Sequence, residues 1–122
     1  MSRFFEGKLL AFDVDGTILD SVGRISSRTI KALESASQKG AHVVLATGRD
    51  WHGTKYLLEE VPEIAYCICV NGVEVRARDG EIHFSLEIDI DLVKRVINVV
   101  RENISGVAFG ASIDGLFVGE EK

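Results

Sequence analysis

The alternation of apolar and polar positions divides the chain into short apolar runs separated by polar segments. Continuous apolar runs at residues 9–12, 41–46 and 66–70 are typical of strands buried on both faces of a parallel sheet. Between the first two runs, apolar positions recur at helical spacing after Ser26, a predicted N-cap, and Gly40 follows as the closing glycine. This strand-helix-strand order predicts a crossover that brings both strand ends to one edge of a sheet.

The pattern changes in the second half of the chain. Residues 73–78 and 81–86 flank Asp79-Gly80, which predicts a hairpin with a two-residue turn. From Asp89 to residue 104 the apolar positions are three or four residues apart, which predicts an amphipathic helix. Two short strands are predicted at residues 106–110 and 115–118. The chain is therefore expected to be an α/β protein with a sheet-forming part at residues 1–88 and a helix-strand-strand unit at residues 89–122.

Polar residues follow each predicted parallel strand at the point where it ends. Asp13 and Asp15 follow the first strand, Thr47-Gly48-Arg49 the second, and Asn71-Gly72 the third. In open α/β sheets ligands bind at the carboxyl ends of the strands. Two carboxylates in one place repel each other unless a proton or a cation intervenes, and oxygen ligands favour Mg²⁺. The sequence thus indicates a Mg²⁺ site at Asp13 and Asp15.

Simpler interpretations of these segments account for part of the pattern. A calcium loop starting at Asp13 requires glycine at its sixth position and glutamate at its twelfth, whereas Gly16 is fourth and Arg24 is twelfth. An ordinary turn explains Asp15-Gly16 but not a second aspartate at the end of an apolar strand. Two alternatives stay open: Thr47 as a helix cap, and Asn71-Gly72 as a tight turn.

The sequence Asp-Val-Asp-Gly-Thr at residues 13–17 resembles the first motif of the haloacid dehalogenase superfamily, whose members are mostly Mg²⁺-dependent phosphatases. Thr47-Gly48-Arg49 resembles its second motif, and Asn71-Gly72 matches the branch with a large type IIB cap after the third strand. The resemblance implies a Rossmann-like parallel sheet, incomplete here, followed by the start of an α+β cap. It also implies hydrolysis of small phosphorylated metabolites, such as sugar phosphates or phosphoglycolate.

The resemblance also implies roles for individual residues. Asp13 would be the nucleophile that forms an aspartyl phosphate, and Asp15 the general acid and base; both would bind Mg²⁺. Carboxylate nucleophiles and charge neutralisation by a metal ion both suit phosphoryl transfer. The residues expected to bind phosphate or substrate are Gly16, Thr17, Thr47, Gly48, Arg49 and Asn71.

Two further motifs of the superfamily are not found in the 122 residues. The first is a lysine, a role for which Lys55, Lys94 and Lys122 have no motif context. The second is an acidic pair of the form Gly-Asp-x-x-x-Asp, and the sequence contains no Gly-Asp dipeptide. The chain therefore looks like the N-terminal half of such an enzyme, and we expect it to be inactive alone. The alternative is a non-catalytic module that binds phosphate or Mg²⁺, or a subunit completed by another chain.

Composition adds only broad limits. The 122 residues suffice for one ordinary domain, and a hydrophobic content of 46% is ample for a core. The net charge of −5, with no basic run, makes nucleic acid an unexpected partner. No apolar stretch is long enough for a membrane span, and Cys67 and Cys69 suit small core residues in a reducing compartment. A cytoplasmic location is expected.

The resemblance places the first strand centrally in the complete sheet, so the strand at residues 9–12 should have an open edge in this chain. Because an unpaired apolar edge is an association hazard, we expect the chain made alone to self-associate or to bind a completing polypeptide. Light scattering at high protein concentration measures this. A monodisperse monomer would contradict the expectation.

Overall fold

The computed structural model describes residues 5–121, which form a five-stranded mixed sheet, a two-stranded sheet and three α-helices. The larger sheet has the strand order β1-β2-β3-β4-β5, with β1 to β3 parallel and β4 and β5 antiparallel. Its strands are β1 Leu9–Phe12, β2 His42–Ala46, β3 Ile64–Cys69, β4 Glu74–Ala77 and β5 Ile82–Ser85. The remaining elements are α1 Ser27–Gln38, α2 Tyr56–Glu60, α3 Ile90–Asn103, β6 Gly110–Ile113 and β7 Leu116–Gly119.

Helix α1 makes the crossover between β1 and β2 that the sequence predicts. Ser26 is its N-cap, and the Ser26 Oγ accepts a hydrogen bond of 3.1 Å from the Thr29 amide. Leu33 is its buried anchor. In the parallel ladder Phe12 lies opposite Leu45, so β1 and β2 end at the same edge of the sheet.

The core lies around β2 and β3 and is closed by α2. Val43 and Leu45 of β2, and Ile64 of β3, are fully buried. Cys67 and Cys69 are also fully buried, as the sequence indicates, and burial raises the pKa of the Cys67 thiol to about 12. Other fully buried side chains are Val14, Val44, Thr54, Leu57 and Val61.

Strand β1 differs from the expectation that it is buried on both faces. Leu9 is 61% exposed, Ala11 is exposed, and Leu10 and Phe12 are only half-buried. The reason is its position, because β1 is the edge strand of the described sheet and pairs with β2 alone. The apolar run thus identified the strand but not its burial, whereas the open edge implied by the resemblance is present among the described strands.

The hairpin and the last two strands also differ in detail from the pattern. The Ala77 amide donates to the Glu81 carbonyl at 2.9 Å, so the β4–β5 turn has three residues rather than two. The strand predicted at residues 106–110 is wrong, because β6 begins only at Gly110. A two-residue turn at Asp114-Gly115 pairs Ile113 with Leu116, and this register places β6 directly before the turn.

Helix α3 begins and ends close to its predicted limits. Asp89 is its N-cap, and its carboxylate accepts hydrogen bonds from the amides of Asp91 and Leu92 at 3.0 and 3.2 Å. None of its residues is buried, although its apolar positions recur at helical spacing. Within residues 5–121, no helix combines the length and apolar character needed to cross a membrane.

Replacing Ser26 by alanine should destabilise the fold by about 1 kcal/mol, because the Thr29 amide loses its capping partner. Urea denaturation measures the change in the free energy of unfolding. Ser27→Ala, one residue further at the first helical position, is the matched control and should change it by less than about 0.5 kcal/mol. Equal losses in both variants would show that the cap is unimportant.

Candidate active site

The loop after β1 presents Asp13 and Asp15 through a sharp turn with buried anchors. Asp15 (φ −74°, ψ 122°) and Gly16 (φ 74°, ψ 4°) have the dihedral angles of a type II turn, which needs glycine at its third position. Val14 and Ile18 on either side are buried and fix the turn to the core. The Thr17 hydroxyl donates to Asp13 Oδ2 at 3.3 Å, which orients the Asp13 carboxylate.

The loop after β2 folds back on its own threonine. Thr47 is buried, and its Oγ1 accepts a hydrogen bond of 3.1 Å from the Arg49 amide. Helix α2 begins only at Tyr56, so Thr47 caps this local turn and not that helix. The alternative interpretation of Thr47 as a helix cap is therefore wrong.

The loop after β3 is tied to the loop after β2 by two backbone bonds. The Val70 amide donates to the Arg49 carbonyl at 2.9 Å, and the Asn71 amide donates to the Thr47 carbonyl at 3.1 Å. Val70 and Asn71 both have left-handed backbone, with φ of 49° and 54°. Such a conformation is strained for a β-branched residue and is found mostly where surrounding bonds enforce it. Asn71-Gly72 is thus a turn, and the Asn71 side chain also faces the space between the three loops.

These three loops surround one open cleft of about 350 Å³. The Asn71 Oδ1 lies 3.1 Å from the point where a side chain at Gly48 would begin, so the two loops pack closely here and a Cβ would crowd the Asn71 amide. The cleft is lined by Asp13, Ala46, Thr47, Gly48, Ile68, Asn71 and Gly72. Hydroxyl, amide and carboxylate groups therefore face a common space at the carboxyl edge of the sheet.

Arg49 forms a bidentate ion pair with Asp15 across this edge. Its Nε lies 2.8 Å from Asp15 Oδ2 and its Nη2 lies 2.6 Å from Asp15 Oδ1. The Arg49 Nη1 also donates to the Gly53 carbonyl and to the Tyr56 hydroxyl, each at 3.1 Å. A planar guanidinium held at all three nitrogens fixes the carboxylate in one orientation.

The ion pair determines the charge of Asp15. Hydrogen bonding from the Arg49 side chain, with its positive charge, holds the pKa of the Asp15 carboxyl below its ordinary value. The same pair raises the pKa of Arg49 further above its already high value. Asp15 is therefore ionised near neutral pH in this arrangement.

The chemistry of these donors suits a hard cation in part. Mg²⁺ is usually held by one or two carboxylates, with substrate phosphate and water completing its shell. The Asp13 carboxylate lines the cleft and fits that description. Asp15 is engaged by Arg49, and residues 5–121 contain no group of three or more His, Cys, Asp or Glu side chains placed to share a metal ion.

The structure brings most of the predicted residues together and adds two that the pattern did not indicate. Gly16 and Thr17 shape the loop that carries Asp13, whereas Arg49 contacts Asp15 and is not among the residues that line the cleft. Tyr56 and Asp50 were missed: Tyr56 binds Arg49, and Asp50 Oδ1 accepts from the Gly53 amide at 2.6 Å. The Asp-x-x-Gly spacing was the available signal for Asp50; nothing in the sequence singles out Tyr56.

A larger cleft of about 410 Å³ lies elsewhere, beside Tyr66 and Arg78. The Arg78 guanidinium is already used there, because it donates to carbonyls between α2 and the start of β3, those of Leu58, Val61, Pro62 and Ile64. Neither Asp13 nor Asp15 lines this cleft.

Comparison with known proteins agrees with this geometry. A sequence profile described as haloacid dehalogenase-like hydrolase matches residues 10–121. The chain belongs to this family. Its Rossmann-like sheet is the family's fold, and the resemblance drawn from the three motifs is confirmed.

Several relatives are named phosphatases. A 5-amino-6-(5-phospho-D-ribitylamino)uracil phosphatase of Bacillus subtilis is 38% identical over 68 residues, which cover 56% of this chain and 27% of the relative. An HMP-PP phosphatase of Cronobacter sakazakii is 30% identical over 91 residues, covering 75% of this chain and 34% of the relative. The chain thus spans about a third of the length of these curated relatives.

Solved structures give the same result. A sugar phosphatase of haloacid dehalogenase subclass IIB superposes with a TM-score of 0.75 at 28% identity, over 92% of this chain and 43% of the other. A phosphatase of the same superfamily from Bacteroides thetaiotaomicron gives a TM-score of 0.78 at 25% identity, over 98% of this chain and 43% of the other. The match to subclass IIB agrees with the branch indicated by Asn71-Gly72.

Replacing Arg49 by glutamine should raise the pKa of the Asp15 carboxyl to its ordinary value, because its hydrogen bonds to a cation are lost. Carboxyl ¹³C NMR titration in metal-free buffer measures this. The pair stabilises the fold above the unfolded pKa of Asp15, and that contribution is lost as pH falls through the lower folded value. Arg28→Gln is a control on exposed α1. An unchanged Asp15 titration in Arg49→Gln would contradict the ion pair.

Proposed function

We propose that the complete protein is a Mg²⁺-dependent phosphohydrolase that acts on small phosphorylated metabolites, such as sugar phosphates or phosphoglycolate. One observation carries this proposal. Asp13 lines a cleft with Thr47, Gly48 and Asn71, and the neighbouring Asp15 forms an ion pair with Arg49. A nucleophile, anion-binding groups and a proton carrier at one edge of a sheet are the parts that phosphoryl transfer needs.

The first step is attack by the Asp13 carboxylate on the phosphorus of the substrate. A bond forms between the Asp13 oxygen and phosphorus, and the bond from phosphorus to the alcohol oxygen breaks. The departing oxygen takes a proton from Asp15, which acts as general acid. Thr47, Gly48 and Asn71 hold the phosphoryl oxygens, and the hydrogen bond from Thr17 keeps the Asp13 carboxylate oriented.

Arg49 has two competing partners in this mechanism. Paired with Arg49, Asp15 is ionised and has no proton to give. An arriving phosphate dianion attracts the guanidinium, and as Arg49 turns towards it the pKa of Asp15 rises and the carboxyl takes up a proton. In the second step Asp15 accepts a proton from water. The water oxygen bonds to phosphorus while the bond from phosphorus to the Asp13 oxygen breaks, which frees phosphate and the Asp13 carboxylate. Arg49 thus binds phosphate and sets the protonation of Asp15.

Asp13 would hold Mg²⁺ in this scheme, and Asp15 would be a second ligand in the ionised form that it has after giving up its proton. The ion supplies neutralisation of the charge on the phosphoryl oxygens. Further ligands and a lysine would come from residues beyond this chain, in the same polypeptide or in another.

The second unit, residues 89–122, fits the start of the cap that the family branch carries after its third strand. Its helix α3 and the β6–β7 hairpin follow the β4–β5 hairpin directly. We place the boundary between core and cap at residue 89, and the protein in the cytoplasm. Both assignments belong to the proposal.

A second candidate function applies to the 122-residue chain alone: binding of phosphate or Mg²⁺ without turnover. The observation that favours it is the shortage of acidic ligands, since residues 5–121 bring no third acidic side chain to Asp13 and Asp15. The chain would then act as a binding module until other residues complete the site.

The test is Mg²⁺-dependent release of phosphate from an aryl phosphate, comparing the protein from its complete reading frame with the 122-residue chain. We expect turnover only in the complete protein, abolished by EDTA and reduced at least about 10³-fold by Asp13→Asn, because the nucleophile is removed. Asp91→Asn, at an exposed position on α3, is the matched control and should retain activity.

Two results would contradict the proposal. One is a complete protein that releases no phosphate from aryl or sugar phosphates with Mg²⁺ present. The other is turnover that survives in Asp13→Asn. Equal turnover by the 122-residue chain would instead remove the need for further residues and exclude the second candidate.

A further inference from the structure

Trp51, the single tryptophan of the chain, lies outside the cleft and packs with two charged side chains. The Arg76 guanidinium lies 5.7 Å from the centre of its ring, at cation–π distance. Glu74 holds Arg76 in place, with Oε1 to Nε at 2.8 Å and Oε2 to Nη2 at 2.9 Å. The side chains of Arg76 and Glu74 are only 11% and 12% exposed. We call Trp51, Glu74 and Arg76 the Trp51 platform.

The tip of the β6–β7 hairpin rests on this platform. Asp114 and Gly115 have φ of 51° and 76°, the backbone of a tight two-residue turn. The Gly115 carbonyl accepts a hydrogen bond of 3.1 Å from the His52 amide. A Cβ at Gly115 would lie 3.0 Å from Trp51 Cβ and 3.1 Å from Arg76 Nη2. A side chain at this position would therefore crowd Trp51 and Arg76, on a backbone conformation that already favours glycine.

This contact stands out within its unit. Among the described residues from 89 to 121, Gly115 alone is buried, whereas Ile113 and Leu116 beside it are 57% and 54% exposed. The Asp114 carboxylate adds favourable charge, since the pKa of Arg76 is raised chiefly by its hydrogen bonds to Glu74 and also by the charge of Asp114. Shape, hydrogen bonding and charge thus agree at one point.

We propose that the Asp114-Gly115 turn is a latch that seats the unit of residues 89–121 on the Trp51 platform. The seat is formed by one hydrogen bond and by contacts with Trp51 and Arg76, while the strands behind the turn stay exposed. A contact of this size can open and close without unfolding the core. While it is seated, the turn holds the second unit in one position relative to the sheet.

The seat and the candidate active site share one rigid loop. The Thr54 amide donates to the Trp51 carbonyl at 3.0 Å, and the Thr54 hydroxyl donates to the Asp50 carbonyl at 2.8 Å. The same loop begins at Arg49, whose Nη1 donates to the Gly53 carbonyl. Seating the turn thus stabilises the loop that carries the partner of Asp15. This consequence for catalysis rests on the proposed function; the latch itself does not.

The experiment compares Gly115→Ala with Gly106→Ala in the 122-residue chain. Both glycines have nearly the same φ, 76° and 75°, so alanine meets the same backbone strain at each. Only Gly115 faces the platform, because nothing lies within 4 Å of a Cβ at Gly106. The readouts are hydrogen exchange of the His52 amide by NMR and acrylamide quenching of Trp51 fluorescence.

We expect Gly115→Ala to speed His52 exchange about tenfold and to increase Trp51 quenching, because the turn leaves its seat. Gly106→Ala should leave both unchanged. Equal effects in the two variants, or an unchanged His52 amide in a folded Gly115→Ala protein, would overturn the latch. If Gly115→Ala does not fold, Gly115→Asn and Gly106→Asn decide in the same way, since asparagine tolerates positive φ.

Neither readout depends on phosphatase activity, so the latch and the proposed function fail separately. Specific exposure of Trp51 in Gly115→Ala, found together with a complete protein that shows no turnover, would support the latch and contradict the function. Turnover in the complete protein, with unchanged quenching of Trp51 in Gly115→Ala, would support the function and contradict the latch.

Discussion

Phe12 lies opposite Leu45 in the parallel ladder of β1 and β2, and the candidate active site depends on that register. Parallel pairing puts the carboxyl ends of both strands at the same edge, so the loop with Asp13 and Asp15 meets the loop with Thr47 and Arg49. A slip of one residue would turn every side chain of β1 to the other face. The buried residues Val14 and Ile18 oppose such a slip, because they anchor the turn just beyond the strand.

Hydrogen bonding between loops then organises the edge. The loops after β2 and β3 exchange backbone bonds at Thr47 and Arg49, which hold Val70 in a strained left-handed conformation. Strain of this kind costs of order 1–3 kcal/mol and persists only where the surroundings enforce it. Here it directs Asn71 towards Gly48 and into the cleft. The strain lowers the stability of the fold, and the bonds that enforce it hold the polar groups of the cleft in one arrangement.

The two carboxylates have different surroundings, and the different roles proposed for them rest on this difference. Asp13 is oriented by a neutral hydroxyl and lines the cleft, as suits a nucleophile. Asp15 is fixed by a guanidinium that lowers its pKa, so its protonation depends on where Arg49 lies. In the proposed mechanism, Arg49 is shared between a phosphate and this carboxylate and so couples substrate binding to proton transfer. The loop that carries Arg49 also carries Trp51, which connects the hairpin of the second unit to the same edge.

The sequence by itself determined the order of the elements, the caps at Ser26 and Asp89, and the residues at the ends of the strands. These features are local, since apolar periodicity, capping side chains and turn glycines act within a few residues. The exposure of β1, the pairing of Arg49 with Asp15 and the seat of Gly115 on Trp51 were decided only by tertiary structure. Residues 34 or more positions apart meet there through strand order and register, and no local pattern of the chain records which partners those will be.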